Sequence, residues 1–255
     1  MNRPTPQVTV TSGKVPQSVR RLLDLMYLER ALHRIMCGWA NQFEAWADKV
    51  RGIHHVWQQA EIVQKMRDRI DQFPGVNPDQ PVSHRLQDIA EAVLDAPSFE
   101  DAIDGMYQIL NTALAEAYLE FLQSVHPVHD APSHEIIANL ITTKDLQRKW
   151  RSEYRQRIAH TTDADYAAKI RAALESANHL HEPLDLEDKP AELVGVASNW
   201  RPYTANIPQN WLTTPENNIR PYIDMDFADN VEARRLFWPI GYMRELGLAI
   251  DQLIW

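Results

Sequence analysis

Apolar residues recur at Leu22, Met26, Met36, Ala40, Phe43 and Ala47, a helical stripe roughly nine turns long at 3.6 residues per turn. The spacing predicts one long helix over 18–50, which Gly52 can end. A second helix follows over 53–73, IHHVWQQAEIVQKMRDRIDQF, stopped by Pro74-Gly75. Residues 76–97 form a connection with a short helix inside it. Ser98 offers an N-cap with Asp101 three residues on, opening a third helix, SFEDAIDGMYQILNTALAEAYLEFLQSV. HPVHDAP is a loop. A fourth helix starts near Ser133 and runs through NLITTKDLQRKWRSEYRQRIAH, and Thr162 or Asp163 can cap a fifth. Few apolar residues alternate with polar ones as a half-buried strand would require, so the chain reads as all-α.

The two ends differ from this middle. Residues 1–16 are polar, contain proline and read as a loose arm. Beyond about residue 181 the period fades into a Pro-, Asn- and aromatic-rich stretch containing WRPY and IRPY. Trp200, Trp211, Trp238 and Trp255, four of the eight tryptophans, lie there. That density predicts an extension over 181–255 folded onto the helices or onto a partner. The middle, 17–180, is the expected helical unit.

Net charge of −9 argues against nucleic-acid binding, which needs a basic surface to displace counterions. No apolar run approaches the roughly 20 residues that span a bilayer, and no signal-peptide core opens the chain. The single cysteine, Cys37, excludes an internal disulfide framework and fits a reducing compartment. A cytoplasmic protein is the expectation. No phosphate loop, dinucleotide fingerprint, nucleophile elbow or Cys-x-x-Cys is present.

Lysine 144 breaks the pattern. The stripe that carries Ile137, Leu140 and Ile141 inward carries Lys144 inward as well. Four long helices with a crossover after the second are also the plan of the ferritin-like bundle. The stretches DLMYLERALHRIM, AEIVQKMRDRI and ALAEAYLEFLQSVHPVHDAPSHEIIANLITTKDLQRKW resemble the corresponding parts of a largely uncharacterised branch of the ferritin-like superfamily, over roughly residues 17–155. The resemblance implies a ferritin-like four-helix bundle with a crossover connection, an extra helix and an aromatic-rich C-terminal extension.

In carboxylate di-iron members of that superfamily, two helices each give a Glu and two each give Glu-x-x-His, all pointing inward. Matched to that pattern, helix one offers Glu29 with His33 one turn on. Helix two offers Glu61 and Gln64, helix three Glu116 or Glu120, and helix four Lys144 and Gln147. Two imidazoles are thus replaced by glutamines and one carboxylate by an ammonium, which has no lone pair for a metal. Lys144 is expected to sit among Glu29, Glu61 and Glu116 or Glu120 and supply the positive charge that irons would supply.

The implied function is a ferritin-like protein whose di-iron site is partly lost. It would act as a metal-free small-molecule-binding or accessory protein, or as an altered enzyme using an acidic pocket that suits an amine or guanidinium ligand. One alternative is a non-haem iron oxidoreductase using Glu29, His33, Glu61 and Glu116 or Glu120. Another is a structural subunit, a homo-oligomer or partner of another protein, docking through residues 200–255. His54 and His55 at the start of helix two, with His126, His129 and His134 around the loop, offer imidazoles for a mononuclear metal site, against the reading that histidines without fixed helical spacing face solvent. Cys37 reads as a small core residue.

Overall fold

The computed structural model describes residues 17–128, 130–185 and 191, and every regular element among them is helical. The N-terminal arm, His129, both Arg-Pro-Tyr stretches and the four C-terminal tryptophans lie outside the described residues.

Helix α1 spans Gln17–Trp39, α2 Trp46–Asp71 and α3 His84–Leu94. Helix α4, Phe99–Ile103, runs through a π-helical segment, Asp104–Leu110, into α5, Asn111–Ser124. Helices α6, Ala131–Arg157, and α7, Ala164–Ser176, complete the set. Caps set several starts. Ser83 accepts from the Arg85 amide, Ser98 from Asp101 and Asp163 from Tyr166, satisfying donors that the first helical turn leaves open. Pro132 sits in the first turn of α6, where its missing N–H costs nothing.

The first expected helix is two elements. It stops at Trp39, passes through a 3-10 turn at Ala40–Gln42, and turns outward at Phe43, whose backbone is extended at φ −62°, ψ 121°. Gly52, expected to end a helix, lies inside α2 instead. The Phe43 ring explains both facts. It folds back onto α2, where a Cβ at Gly52 would overlap it, so the glycine provides close approach and not termination. Phe43 then packs edge-on against Phe99 at 4.7 Å and Trp150 at 5.8 Å between ring centroids.

The four long helices close into a cycle, α1 on α2, α2 on α6, α6 on α5 and α5 on α1. Polar pairs fix the directions. Asp48 at the start of α2 takes both Arg157 Nη atoms from the end of α6, at 2.6 and 2.9 Å. Arg69 near the end of α2 donates to Ser133 at the start of α6, at 2.8 Å. These two helices are therefore antiparallel. Likewise Arg21 near the start of α1 reaches Glu120 late in α5, while Trp39 at its end meets Phe99. The connection between α2 and α4, with α3 inside it, crosses the length of the assembly. Helix α3 packs on α7 and on α1, which is buried on nearly every side.

The π segment coincides with a tight approach. A Cβ at Gly105 would overlap the Tyr166 hydroxyl, which donates to Val93 O at 2.8 Å. Asp104, 1% exposed, accepts from Arg151 at 2.7 Å and also from Thr162, tying this segment to α6 and the start of α7. Beyond α7, Leu180 and Leu184 are buried, and the Leu184 amide donates to Asp24 at 2.9 Å. Burial pushes the Asp24 carboxyl up to about 7, against that hydrogen bond and the nearby Arg20.

Candidate functional site

Level with the middle of all four helices, one residue from each meets the others. Glu29 comes from α1, Gln59 from α2, Tyr118 from α5 and Lys144 from α6, and all four are 0% exposed. Lys144 Nζ donates to Glu29 Oε2 at 2.7 Å and to Gln59 Oε1 at 3.1 Å. The Gln59 amide donates to the Glu29 carboxylate and, at 3.3 Å, to the Glu29 backbone carbonyl. The Tyr118 hydroxyl donates to the other carboxylate oxygen. Each oxygen of Glu29 is engaged, as a buried charge requires. Burial lowers the Lys144 pKa, and the facing Glu29 opposes that shift. Burial raises the Tyr118 hydroxyl well above its usual range, with Glu29 adding to it.

One turn away lies a second polar group. Asn111 donates to Gln147 at 3.0 Å, and Gln147 donates to Gln58 at 3.3 Å. His55 shares a 3.1 Å hydrogen bond with the Tyr107 hydroxyl and stands edge-on to Trp150 at 4.9 Å. Burial first, then the charges of His54, Arg51 and Lys144, lower the His55 pKa to about 3, so its imidazole stays neutral.

Of the expected residues, Glu29, Lys144 and Gln147 are interior. Glu61 and Glu116 are exposed and contribute nothing to the centre. Glu120 lies on the flank of α5, 36% exposed at its side chain, and pairs with Arg21 at 3.1 Å. Arg21 also donates to the Ala117 and Leu180 carbonyls, so this pair joins α1, α5 and the turn after α7. His33 and Gln64 both line an outer cleft between α1 and α2. Among the histidines, His55 is buried, and its partner is Tyr107, not a metal-ligating cluster with the loop histidines. His54 is exposed and stacks on Trp57 at 5.5 Å. His126 is exposed, His134 half-buried, and Cys37 buried, as a core residue should be.

The acidic pocket expected from helical phase is therefore a single carboxylate. The physical reason is register. Glu61 stands two residues past Gln59, about 200° round the helix, and Glu116 two residues before Tyr118. The inward stripe of α2 runs Val56, Gln59, Ile62, Met66 and Ile70. In that register the expected Glu-x-x-His pattern reads Gln59-x-x-Ile62, beside Lys144-x-x-Gln147 on α6.

A di-iron set does not fit these donors. The centre holds one carboxylate, an amide, a phenol and an ammonium, and the ammonium has no lone pair for a metal. No group of three or more His, Cys, Asp or Glu residues arranged to hold a metal occurs among the described residues. No helix among them is long and apolar enough to cross a membrane. No family model, curated protein or solved structure matches the chain.

Proposed function

We propose that this chain is a ferritin-like bundle in which an internal lysine has taken the place of the metal charge, and that it works as a metal-free binding or accessory protein. The observation that carries the reading is Lys144 Nζ lying 2.7 Å from Glu29 at the level where the four helices meet, both side chains 0% exposed. The antiparallel cycle and the long crossover between α2 and α4 support the ferritin-like plan. Lysine replaces the cation's charge without its open coordination positions or redox chemistry, so the centre acts as a structural clamp. Its sealed position directs ligand binding to other surfaces.

The test is elemental analysis of protein expressed in iron-supplemented medium, with Glu29→Gln beside it. The expected result is no stoichiometric iron in either. Near-stoichiometric iron in the parent that falls in Glu29→Gln would overturn the reading and make dioxygen chemistry the working model. A gain-of-function arm tests the bundle plan separately. Restoring Q59E, I62H, K144E and Q147H together rebuilds two Glu-x-x-His pairs around Glu29. Uptake of iron by that variant is expected if the four helices have ferritin-like spacing.

A further inference from the structure

The sealed centre holds more than an ion pair. Lys144 Nζ faces the side-chain carboxamide of Gln59, and the Glu29 carboxyl touches both. An ammonium only donates, so the Gln59 atom 3.1 Å from Nζ is the carbonyl oxygen, and the Gln59 NH2 is turned to Glu29 Oε2. One C=O length of about 1.2 Å separates Oε1 from Cδ, so Nζ lies no more than about 4.3 Å from that carbon. Reacting atoms in a near-attack arrangement stand about 3–3.5 Å apart. The terminal torsion of a glutamine is broad, and turning it presents the face of the carbonyl to Nζ.

The surroundings favour the neutral, nucleophilic form of the amine. Lys144, Glu29 and Gln59 are each 0% exposed, and Leu140 and Ile62, one turn away on α6 and α2, are buried as well. Burial lowers the Lys144 pKa, and passing its proton to Glu29 across 2.7 Å removes both charges from a medium that solvates neither. A desolvated lysine is an activated nucleophile, and exclusion of water keeps hydrolysis from competing. The Tyr118 hydroxyl donates to Glu29 Oε1, which leaves Oε2 as the oxygen facing both nitrogens.

We propose that Lys144 and Gln59 condense into an intramolecular isopeptide bond that ties α6 to α2, with Glu29 as the proton carrier. The Lys144 proton first moves to Glu29. Nζ then attacks Cδ of Gln59, and the carbonyl electron pair moves onto Oε1. When that pair re-forms the carbonyl, the Cδ–Nε2 bond breaks, and Nε2 takes the proton from Glu29 and leaves as ammonia. The extra proton on Nζ passes to Glu29 Oε2. The products are a secondary amide, one ammonia and a neutral Glu29, and no oxidant or co-reactant is consumed. Ammonia is protonated and diluted in water, which opposes the reverse step. Until the bond forms, the freshly folded chain is held by the ion pair alone. Afterwards residues 59 and 144 are joined, and closing so long a loop restricts the unfolded chain strongly. The inference rests on the metal-free centre proposed above, since an iron held by Glu29 would displace the amine.

The experiment is intact-mass measurement of the denatured full chain, freshly purified and after prolonged incubation, followed by tryptic mapping. The parent is expected to become lighter by one ammonia. Its digest is expected to contain a branched peptide in which Lys144 resists trypsin and is joined to the 52–65 peptide that carries Gln59. Gln59→Glu is expected to lose one water instead, because oxygen is then the leaving atom. Gln59→Met removes the electrophile and keeps the ion pair. It is expected to retain both its fold, read by circular dichroism, and its full mass. A parent that keeps its full mass throughout, with Lys144 cleaved by trypsin, would overturn the proposal. So would a mass loss that persists undiminished in Gln59→Met. Full mass without iron removes the bond and leaves the metal-free reading standing, whereas stoichiometric iron in the parent removes that reading itself.

Discussion

Glu29 and Arg30 are neighbours on one helix and live in opposite worlds. Glu29 faces the centre, with its partner Lys144 and itself both 0% exposed. Arg30 faces the cleft, 27% exposed against an Asp79 that is 48% exposed. Both are crossed by an acid–base pair at hydrogen-bond distance, yet the two pairs do different things. Taking both charges out of water makes the inner pair obligatory, since either partner alone is an uncompensated buried charge. Leaving both charges wet makes the outer pair exchangeable. The inner one is suited to fixing four helices in register, and the outer one, where Arg67 adds a two-pronged fork on Asp79, to tethering the crossover loop.

The sharpest way to break this contrast is to cut the inner pair. Lys144→Met is expected to destabilise the chain by about 3–5 kcal/mol, because Glu29 is left buried without a counter-charge. Urea unfolding reads the change. Glu29→Met with Lys144→Met is expected to lose less than either single variant, since both desolvation penalties vanish together and only packing and the Gln59 and Tyr118 hydrogen bonds are disturbed. A Lys144→Met cost under about 1 kcal/mol would mean that the inner pair is no more structural than the outer one.

A smaller effect sharpens the same contrast through pH. His55 stands in the sealed layer, and its pKa in the folded chain is about 3 against an ordinary 6.5. The unfolded chain therefore takes up a proton below pH 6.5 that the folded chain refuses until about pH 3. Stability falls as pH drops through that window, with a slope of about 1.4 kcal/mol per unit. From pH 6.5 to 5 the loss assigned to His55 is about 2 kcal/mol. His55→Gln is expected to flatten this part of the profile relative to the parent. Identical slopes in parent and variant would show that water reaches the imidazole.

The helices were legible because apolar spacing and caps carry them. Ser98 and Asp163 cap where their side chains predict, and Pro74-Gly75 follows the end of α2. Lys144 was legible for the same reason, since the inward stripe of α6 passes through it. What misled was fitting a carboxylate pattern to helices two and three. The stripe Val56, Gln59, Ile62, Met66 already placed Gln59 inside and Glu61 outside, and Ala117, Tyr118 and Phe121 did the same for Tyr118 against Glu116. The break after Trp39 was hidden because Phe43 continues the apolar stripe while its backbone leaves the helix. Its cause is a contact with Gly52, which spacing alone does not encode. The cleft was illegible for another reason. Arg30 and Arg67 meet only through Asp79, a loop residue whose position depends on how the crossover folds.

The smallest expected effect is at that outer pair, and it separates a wet contact from a structural one. Asp79→Asn removes one charge from a fork whose partners are 35% and 48% exposed. The change in unfolding free energy is expected to stay below about 1 kcal/mol, and to shrink further in high salt, because screening acts on exposed charges and spares buried ones. Urea unfolding at low and high ionic strength measures it. The Asp79 amide also donates to Asn77 Oδ1 at 2.9 Å, a local bond that the substitution leaves in place and that keeps the loop shaped. A loss of several kcal/mol that salt does not reduce would mean that Asp79 is a fixed strut of the crossover. The arginines would then be committed to holding the fold, and the distinction between a sealed clamp and an exchangeable one would collapse.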